Sequence, residues 1–226
     1  MKPLTHYIQE KLIIKKSINY KYFPKTKEEL REIIKKRIKT KGNEVDLNDI
    51  DVSKITDMSS LFRDTDFNGD ISNWDVSNVT DMNRMFSDCK SFNNNSIYTW
   101  DVSNVTDMSY MFYGCNKFNQ DISMWDVSNV TNMYAMFYCC RSFNQDISNW
   151  DVSKVTNMDY MFSKCKSFNQ DISKWDVSNV TNMGGMFAEC TSFNQDISGW
   201  DVSKVIKMKE IFYGCKIKEK YKPNFK

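Results

Sequence analysis

One phrase returns seven times along this chain. "DVS" begins at Asp51, Asp75, Asp101, Asp126, Asp151, Asp176 and Asp201, with spacings of 24, 26, 25, 25, 25 and 25 residues. The candidate structural core is the set that precedes it, Trp74, Trp100, Trp125, Trp150, Trp175 and Trp200, which are all the tryptophans of the chain. Ile50 takes that place in the first copy. Six of the seven cysteines, from Cys89 to Cys215, fall at another fixed position. Self-similarity at a period of 20–50 residues is the mark of a stacked repeat, in which each unit buries its apolar face only against its neighbours. The expected fold class is therefore an α/β repeat solenoid.

The copy around Trp150 places apolar side chains at Ile147, Trp150, Val152, Val155, Met158, Met161, Phe162, Cys165 and Phe168. The step from Trp150 to Val152 has the period of a strand. Met158, Met161, Phe162 and Cys165 follow the i, i+3, i+4, i+7 pattern of one helix face, and Thr156 stands where an N-cap would. The unit expected is one short strand and one short helix, neither stable alone. Ile147-x-x-Trp150-x-Val152 also has the spacing of a leucine-rich repeat. Only "SFNNNSIYTW", before Trp100, carries an extra residue, which predicts a bulge or widened turn over 94–98.

Charge divides the chain in three. Residues 1–45 carry +8, the tail 216–226 carries +4, and the stretch between them carries −10. Three parts are expected: a basic helical cap over 1–45, the seven-copy array over 46–215, and a basic C-terminal lid over 216–226. In the cap, Thr26 and Glu29 form a capping box ahead of the apolar stripe Leu30, Ile33, Ile34 and Ile38, and residues 4–16 read as a second helix. In the lid, Ile217, Tyr221 and Phe225 alternate with lysines.

The string W-D-V-S-x-V-T-x-M-x-x-M-F-x-x-C-x-x-F-N-Q-D-I-S resembles the BspA-like, leucine-rich-repeat-related surface proteins of bacteria, some giant viruses and protists. The resemblance spans 47–215. It implies a right-handed leucine-rich-repeat-like coil and an interaction scaffold, with no catalytic residues to carry over.

Catalytic signals are sparse. His6 is the only histidine, no Gly-rich phosphate loop or Cys-x-x-Cys zinc spacing occurs, and cysteines placed one per copy read as buried free thiols. The expectation is a non-enzyme without cofactor. The column Asp75, Asp101, Asp126, Asp151, Asp176 and Asp201, with Met124 and Lys174 beside it, is a candidate binding strip. Its carboxylates need compensation, from local hydrogen bonds, bound Ca²⁺ or a basic partner, and local bonding is favoured. Asn78, Asn104, Asn129 and Asn179 match the glycosylation pattern, although a turn role explains them equally. The second candidate surface is the set of varying positions on the expected helix, including Arg84, Tyr110, Tyr160 and Glu210, with Tyr113, Tyr138 and Tyr213 nearby. Variable residues on a fixed lattice suit recognition of a protein partner. Self-association through the ends and binding of nucleic acid by the cap are the alternatives. With neither a signal peptide nor a long apolar span in the sequence, a cytoplasmic or virion-associated location is expected over a secreted one.

Overall fold

The architecture comes from a computed structural model, which describes residues 19–225. His6 and the expected helix over 4–16 lie outside the described residues. Helix α1 runs Lys27–Lys41, and among the described residues it is the only α-helix. Two single 3₁₀ turns, Asn95–Ile97 and Glu219–Tyr221, complete the regular elements. The first occupies the site of the extra residue and delivers Ile97 to the core.

The expected short helix in each copy is replaced by a chain of tight turns, and backbone hydrogen bonding explains why. Copy five shows the pattern. The N–H groups of Met158, Tyr160, Phe162 and Lys164 donate to the carbonyls of Asn182, Gly184, Met186 and Ala188 in the next copy, at 2.7–2.9 Å. The intervening N–H groups of Met161, Ser163 and Cys165 close turns onto Met158, Tyr160 and Phe162 at 3.0–3.2 Å. Asp159 N–H donates to Asn157 Oδ1. Every N–H from 158 to 165 therefore has a partner. A two-turn helix would instead leave four N–H and four C=O groups unpaired at its ends.

This zigzag demands left-handed backbone at two positions, four residues apart. Tyr160 (φ 58°) and Lys164 (φ 63°) provide it in copy five, as Arg84 and Asp88 do in copy two and Ala135 and Cys139 in copy four. The same four-residue beat sends Met158, Met161, Phe162 and Cys165 inward, all fully buried. The apolar pattern thus marks the buried face, but turns and not a helix generate it.

The ladder repeats at all six interfaces between copies, four bonds at each, 2.6–3.0 Å long. Parallel bridges join Asp57, Asp81, Asp107, Asn132, Asn157, Asn182 and Lys207 in sequence. The expected strand at Trp150–Val152 is absent, since that segment also turns, with Trp150 N–H bonding to Ile147 O and Val155 N–H to Val152 O. Thr156 caps nothing: its N–H and its hydroxyl both donate to Thr131 O.

A ladder sets equivalent residues side by side, so like side chains stack. Phe62, Phe86, Phe112, Phe137, Phe162, Phe187 and Phe212 form one column with ring centroids 5.3–5.8 Å apart. A second column, Phe92 to Phe193, packs at 5.8–6.0 Å. Each indole N–H reaches back to the preceding copy, as from Trp150 to Ile122 O at 3.1 Å and from Trp125 to Ile97 O at 3.0 Å. A phenylalanine there would fill the space but lose that bond between copies, which is the physical reason for tryptophan.

Helix α1 covers the first copy. Leu30 and Ile34 are buried, Lys27 Nζ meets Asp57 Oδ2 at 2.6 Å, and Arg31 donates to Ser60 O at 2.6 Å. Arg37 binds Asp49 through both carboxylate oxygens at 2.9 and 3.0 Å. The Thr26 hydroxyl caps Glu29 N–H, while Glu29 reaches back to Lys25 N–H, one residue beyond the expected partner. At the other end Ile217 is buried, and Tyr221 and Phe225 pack against the core.

The turn geometry predicts how Cys139 tolerates substitution. At φ 60° a β-branched side chain is strained, while glycine is at ease. Cys139→Val, close in size, should destabilise by about 1–3 kcal/mol in chemical denaturation. Cys139→Gly should be neutral or mildly stabilising. Equal losses for the two variants would contradict the left-handed turn.

Candidate interaction surface

The aspartate column lies outside the core, its members exposed or half-buried. One carboxylate oxygen of each member accepts the N–H of the serine two residues on: Asp75 from Ser77, Asp101 from Ser103, Asp126 from Ser128, Asp151 from Ser153, Asp176 from Ser178 and Asp201 from Ser203, at 3.0–3.3 Å. This is the Asx turn. Bonds from Ser153 and Ser178 hold the Asp151 and Asp176 carboxyls below the usual carboxylate value. Met124 is 61% exposed and Lys174 is exposed beside the same segment. The second D-x-S, at Asp70, Asp121, Asp146, Asp171 and Asp196, makes the same turn with the serine two residues on.

Other recurrent polar residues tie copy to copy. Asn93, Asn119, Asn144, Asn169 and Asn194 each donate a backbone N–H to the side-chain oxygen of the asparagine one copy earlier, at 2.8–2.9 Å. The side-chain amides of Asn78, Asn104, Asn129 and Asn179 donate to serine carbonyls of the preceding copy. The Cys89, Cys115, Cys140 and Cys165 thiols donate to phenylalanine carbonyls of the preceding copy at 2.8–2.9 Å. Burial pushes the Cys89 thiol up to about 12. Cys139 is half-buried in the column of left-handed turns, outside the core.

The positions that vary outside the core behave differently. Arg84, Tyr110, Tyr160 and Glu210, expected on a helix, all occupy the first left-handed position of their copies. There they form a continuous surface. The Arg84 guanidinium lies 4.2 Å from the centre of the Tyr110 ring. Tyr110 packs against Tyr134 at 4.8 Å, and Tyr134 against Tyr160 at 6.0 Å. Alongside, Tyr113 stacks on Tyr138 at 4.7 Å, with Lys164 Nζ 5.4 Å from the Tyr138 ring. Burial and the hydrogen bond with Tyr110 push the Tyr134 hydroxyl up to about 12, so it stays a neutral donor. Tyr134 was not legible as part of this surface, because it stands at a position held elsewhere by Ser, Asn, Asp, Gly or Lys.

Gly184 and Gly185 end the tyrosine surface. A β-carbon at 185 would sit 2.4 Å from the Tyr160 ring. The missing side chains leave a shallow concavity in which Tyr160 and Glu210 meet Asp159, Ile206, Lys207 and Met208. Tyr213 is 66% exposed beyond it. Among the described residues, no group of three or more His, Cys, Asp and Glu could hold a metal ion, and no helix is long and apolar enough to cross a membrane.

Seven copies joined by one recurring set of bonds define a repeat protein. More narrowly, the chain belongs to the family described as "Mycoplasma protein of unknown function, DUF285", whose model matches residues 29–142 and again 117–224. The two overlapping matches follow from a unit that returns every 24 to 26 residues. No curated protein and no solved structure matches the chain.

One column carries a pH dependence. Burial lifts the Asp81 carboxyl above its ordinary value of 3.8, with Asp57 and Asp107 adding to the effect and the Asn83 amide and Lys27 opposing it. A carboxyl with a raised pKa binds more protons folded than unfolded, so its contribution to stability falls as pH rises from 3.8 through the folded value. Asparagine fills this position in copies four to six, and in copies four and five it makes the same turn, Asn132 Oδ1 accepting from Tyr134 N–H and Asn157 Oδ1 from Asp159 N–H. Asp81→Asn should therefore raise the melting temperature at pH 7, by at most about 2–4 °C. The gain should vanish on acidification below the ordinary carboxylate value. A lower melting temperature at pH 7 would contradict this electrostatic account.

Proposed function

We propose that the chain is a non-enzymatic protein-interaction scaffold, a solenoid whose stacked copies display the tyrosine surface to a protein partner. One observation carries the reading. Arg84, Tyr110, Tyr134, Tyr160, Tyr113 and Tyr138 are gathered from four successive copies into one set of ring contacts outside the core. Tyrosine and arginine are the residues that dominate binding at protein interfaces, because they offer large, stiff, amphipathic contact area. The finer likeness to BspA-like surface proteins fits a scaffold of this kind, as an adhesin-like protein at a surface or on a virion.

The non-enzymatic reading draws support from how the reactive side chains are employed. Core thiols donate to backbone carbonyls, and the aspartate columns serve as turn acceptors. The nucleic-acid alternative is weakened for a similar reason. Lys27, Arg31 and Arg37 of the basic cap hold α1 to the first copies through Asp57, Ser60 and Asp49.

The test is capture from a lysate of the cells that make the protein, comparing the wild-type chain with Tyr110→Ser/Tyr134→Ser/Tyr138→Ser. The partner should be lost from the triple variant, each central tyrosine contributing about 2 kcal/mol or more. It should be retained by Asp126→Asn/Asp151→Asn/Asp176→Asn. Equal capture by wild type and tyrosine variant, at unchanged melting temperature, would overturn the assignment.

A further inference from the structure

The two ends of the stack are not alike, and the difference follows from the direction of the ladder. Within the zigzag each copy donates four N–H groups forward to carbonyls of the next, and only the rung at the threonine, as from Thr156 N–H to Thr131 O, runs backward. Copy seven accepts from copy six at Lys207, Lys209, Ile211 and Tyr213. Its own outward N–H groups, at Met208, Glu210, Phe212 and Gly214, have no acceptor among the described residues. Glu210 (φ 61°) and Gly214 (φ 65°) nonetheless hold the left-handed geometry of the internal copies. The edge is thus set in the conformation that pairs a neighbour, and it presents four donors against one outward carbonyl, that of Ile206, whose counterparts from Thr56 to Thr181 each accept from the next copy.

Its side chains depart from the repeat in the same place. "VTNM" or "VTDM" becomes "VIKMK" at 205–209. Ile206 replaces the threonine of every earlier copy and is 76% exposed, and Met208 is 39% exposed where Met58, Met82 and Met108 are fully buried. The bridging column, Asp57, Asp81, Asp107, Asn132, Asn157, Asn182, ends in Lys207. Lys209 is 90% exposed, and Lys216 is exposed at the far end of the segment. Against these lysines stands Glu210.

A row of donors amid lysines and exposed apolar side chains calls for an occupant with carbonyls at every second residue and negative charge. A second copy of this chain does not supply them. Tail to tail, two edges that each carry four donors and one acceptor leave most of their donors without partners and set lysine against lysine. Head to tail, the matching carbonyl edge of copy one lies against α1, held by Lys27 on Asp57 and Arg31 on Ser60 O, with Leu30 and Ile34 buried. We propose that the outward edge of the seventh copy docks an extended acidic peptide segment of another protein. Its backbone carbonyls accept from Met208, Glu210, Phe212 and Gly214, and its acidic side chains face Lys207, Lys209 and Lys216. Strand addition of this kind draws affinity from main-chain bonds and specificity from the flanking side chains. The edge is a different site from the tyrosine surface.

The probe is a fluorescein-labelled peptide of alternating Glu and Val, titrated with the full chain and followed by anisotropy. Saturable binding is expected at about 50 mM salt, weakening as salt is raised to about 300 mM, since the Debye length falls below about 10 Å. Lys207→Glu/Lys209→Glu should weaken binding by about tenfold or more through lost charge complementarity. Met208→Pro removes an edge donor that no bond among the described residues uses, and it should weaken binding similarly. Lys36→Glu/Lys39→Glu on α1 and the tyrosine triple variant should leave binding unchanged, which keeps this test separate from that of the tyrosine surface. Thermal melting checks that each variant is folded, and if Met208→Pro loosens the last copy the lysine pair still decides. The proposal is overturned by no binding at low salt, by equal binding of a Lys-Val peptide, or by folded lysine variants that bind as wild type. Sedimentation showing a dimer dissociated by the lysine reversal would also overturn it, by assigning the edge to a second copy.

Discussion

Between successive copies, four N–H groups at alternate residues cross to four carbonyls of the next copy, and the N–H groups between them turn back within their own copy. The rest of the structure depends on that division. No copy can satisfy its backbone alone, because half of the donors in the zigzag point at a neighbour. A buried amide left unpaired costs about 1–3 kcal/mol, so a copy without its neighbour is strongly disfavoured. Stability in such a stack is carried by nearest-neighbour terms, and its two ends need separate treatment. The head is covered by α1 and the core of the tail by Ile217, Tyr221 and Phe225, and the outward N–H groups of copy seven have no acceptor among the described residues.

The ladder also explains why the copies are written so nearly alike. Once residues of equal rank lie side by side, a side chain that bonds or packs well against its own kind is favoured at every rung. Phenylalanine does so by ring stacking and asparagine by passing one hydrogen bond from copy to copy. Tryptophan and cysteine do so by donating to a carbonyl of the copy before. Where side chains leave the core at the left-handed positions, this constraint lifts. Arginine, tyrosine, alanine, glycine and glutamate all occur there, and the tyrosine surface is built on that freedom.

The inward set of each copy was legible in the sequence. Ile147, Trp150, Val152, Val155, Met158, Met161, Phe162, Cys165 and Phe168 are all buried. The elements that carry them were not legible, because i, i+3, i+4, i+7 arises from a helix and equally from turns that visit the left-handed region every fourth residue. The signal that separates the two was present in Asp64, Asp88, Gly114 and Gly214, residue types tolerant of positive φ recurring at one position inside an apparent helix. At the surface, Arg84, Tyr110 and Tyr160 are variable positions in the sequence, but the ring that joins the two tyrosines, Tyr134, stands on the expected helix at a position held elsewhere by Ser, Asn, Asp, Gly or Lys, where nothing marks it. The open edge of copy seven had no sequence signature of its own beyond Ile206, Lys207 and Lys209, since an unpaired donor is a property of the stack.

Hydrogen exchange at single-residue resolution tests the ladder most directly. Met183, Gly185, Phe187 and Glu189 donate to copy seven, while Met208, Glu210, Phe212 and Gly214 stand at the same positions with no acceptor among the described residues. Protection of the first four amides with rapid exchange of the second four is the predicted result. Protection alike in both sets, as a helix within each copy would give, would contradict the account.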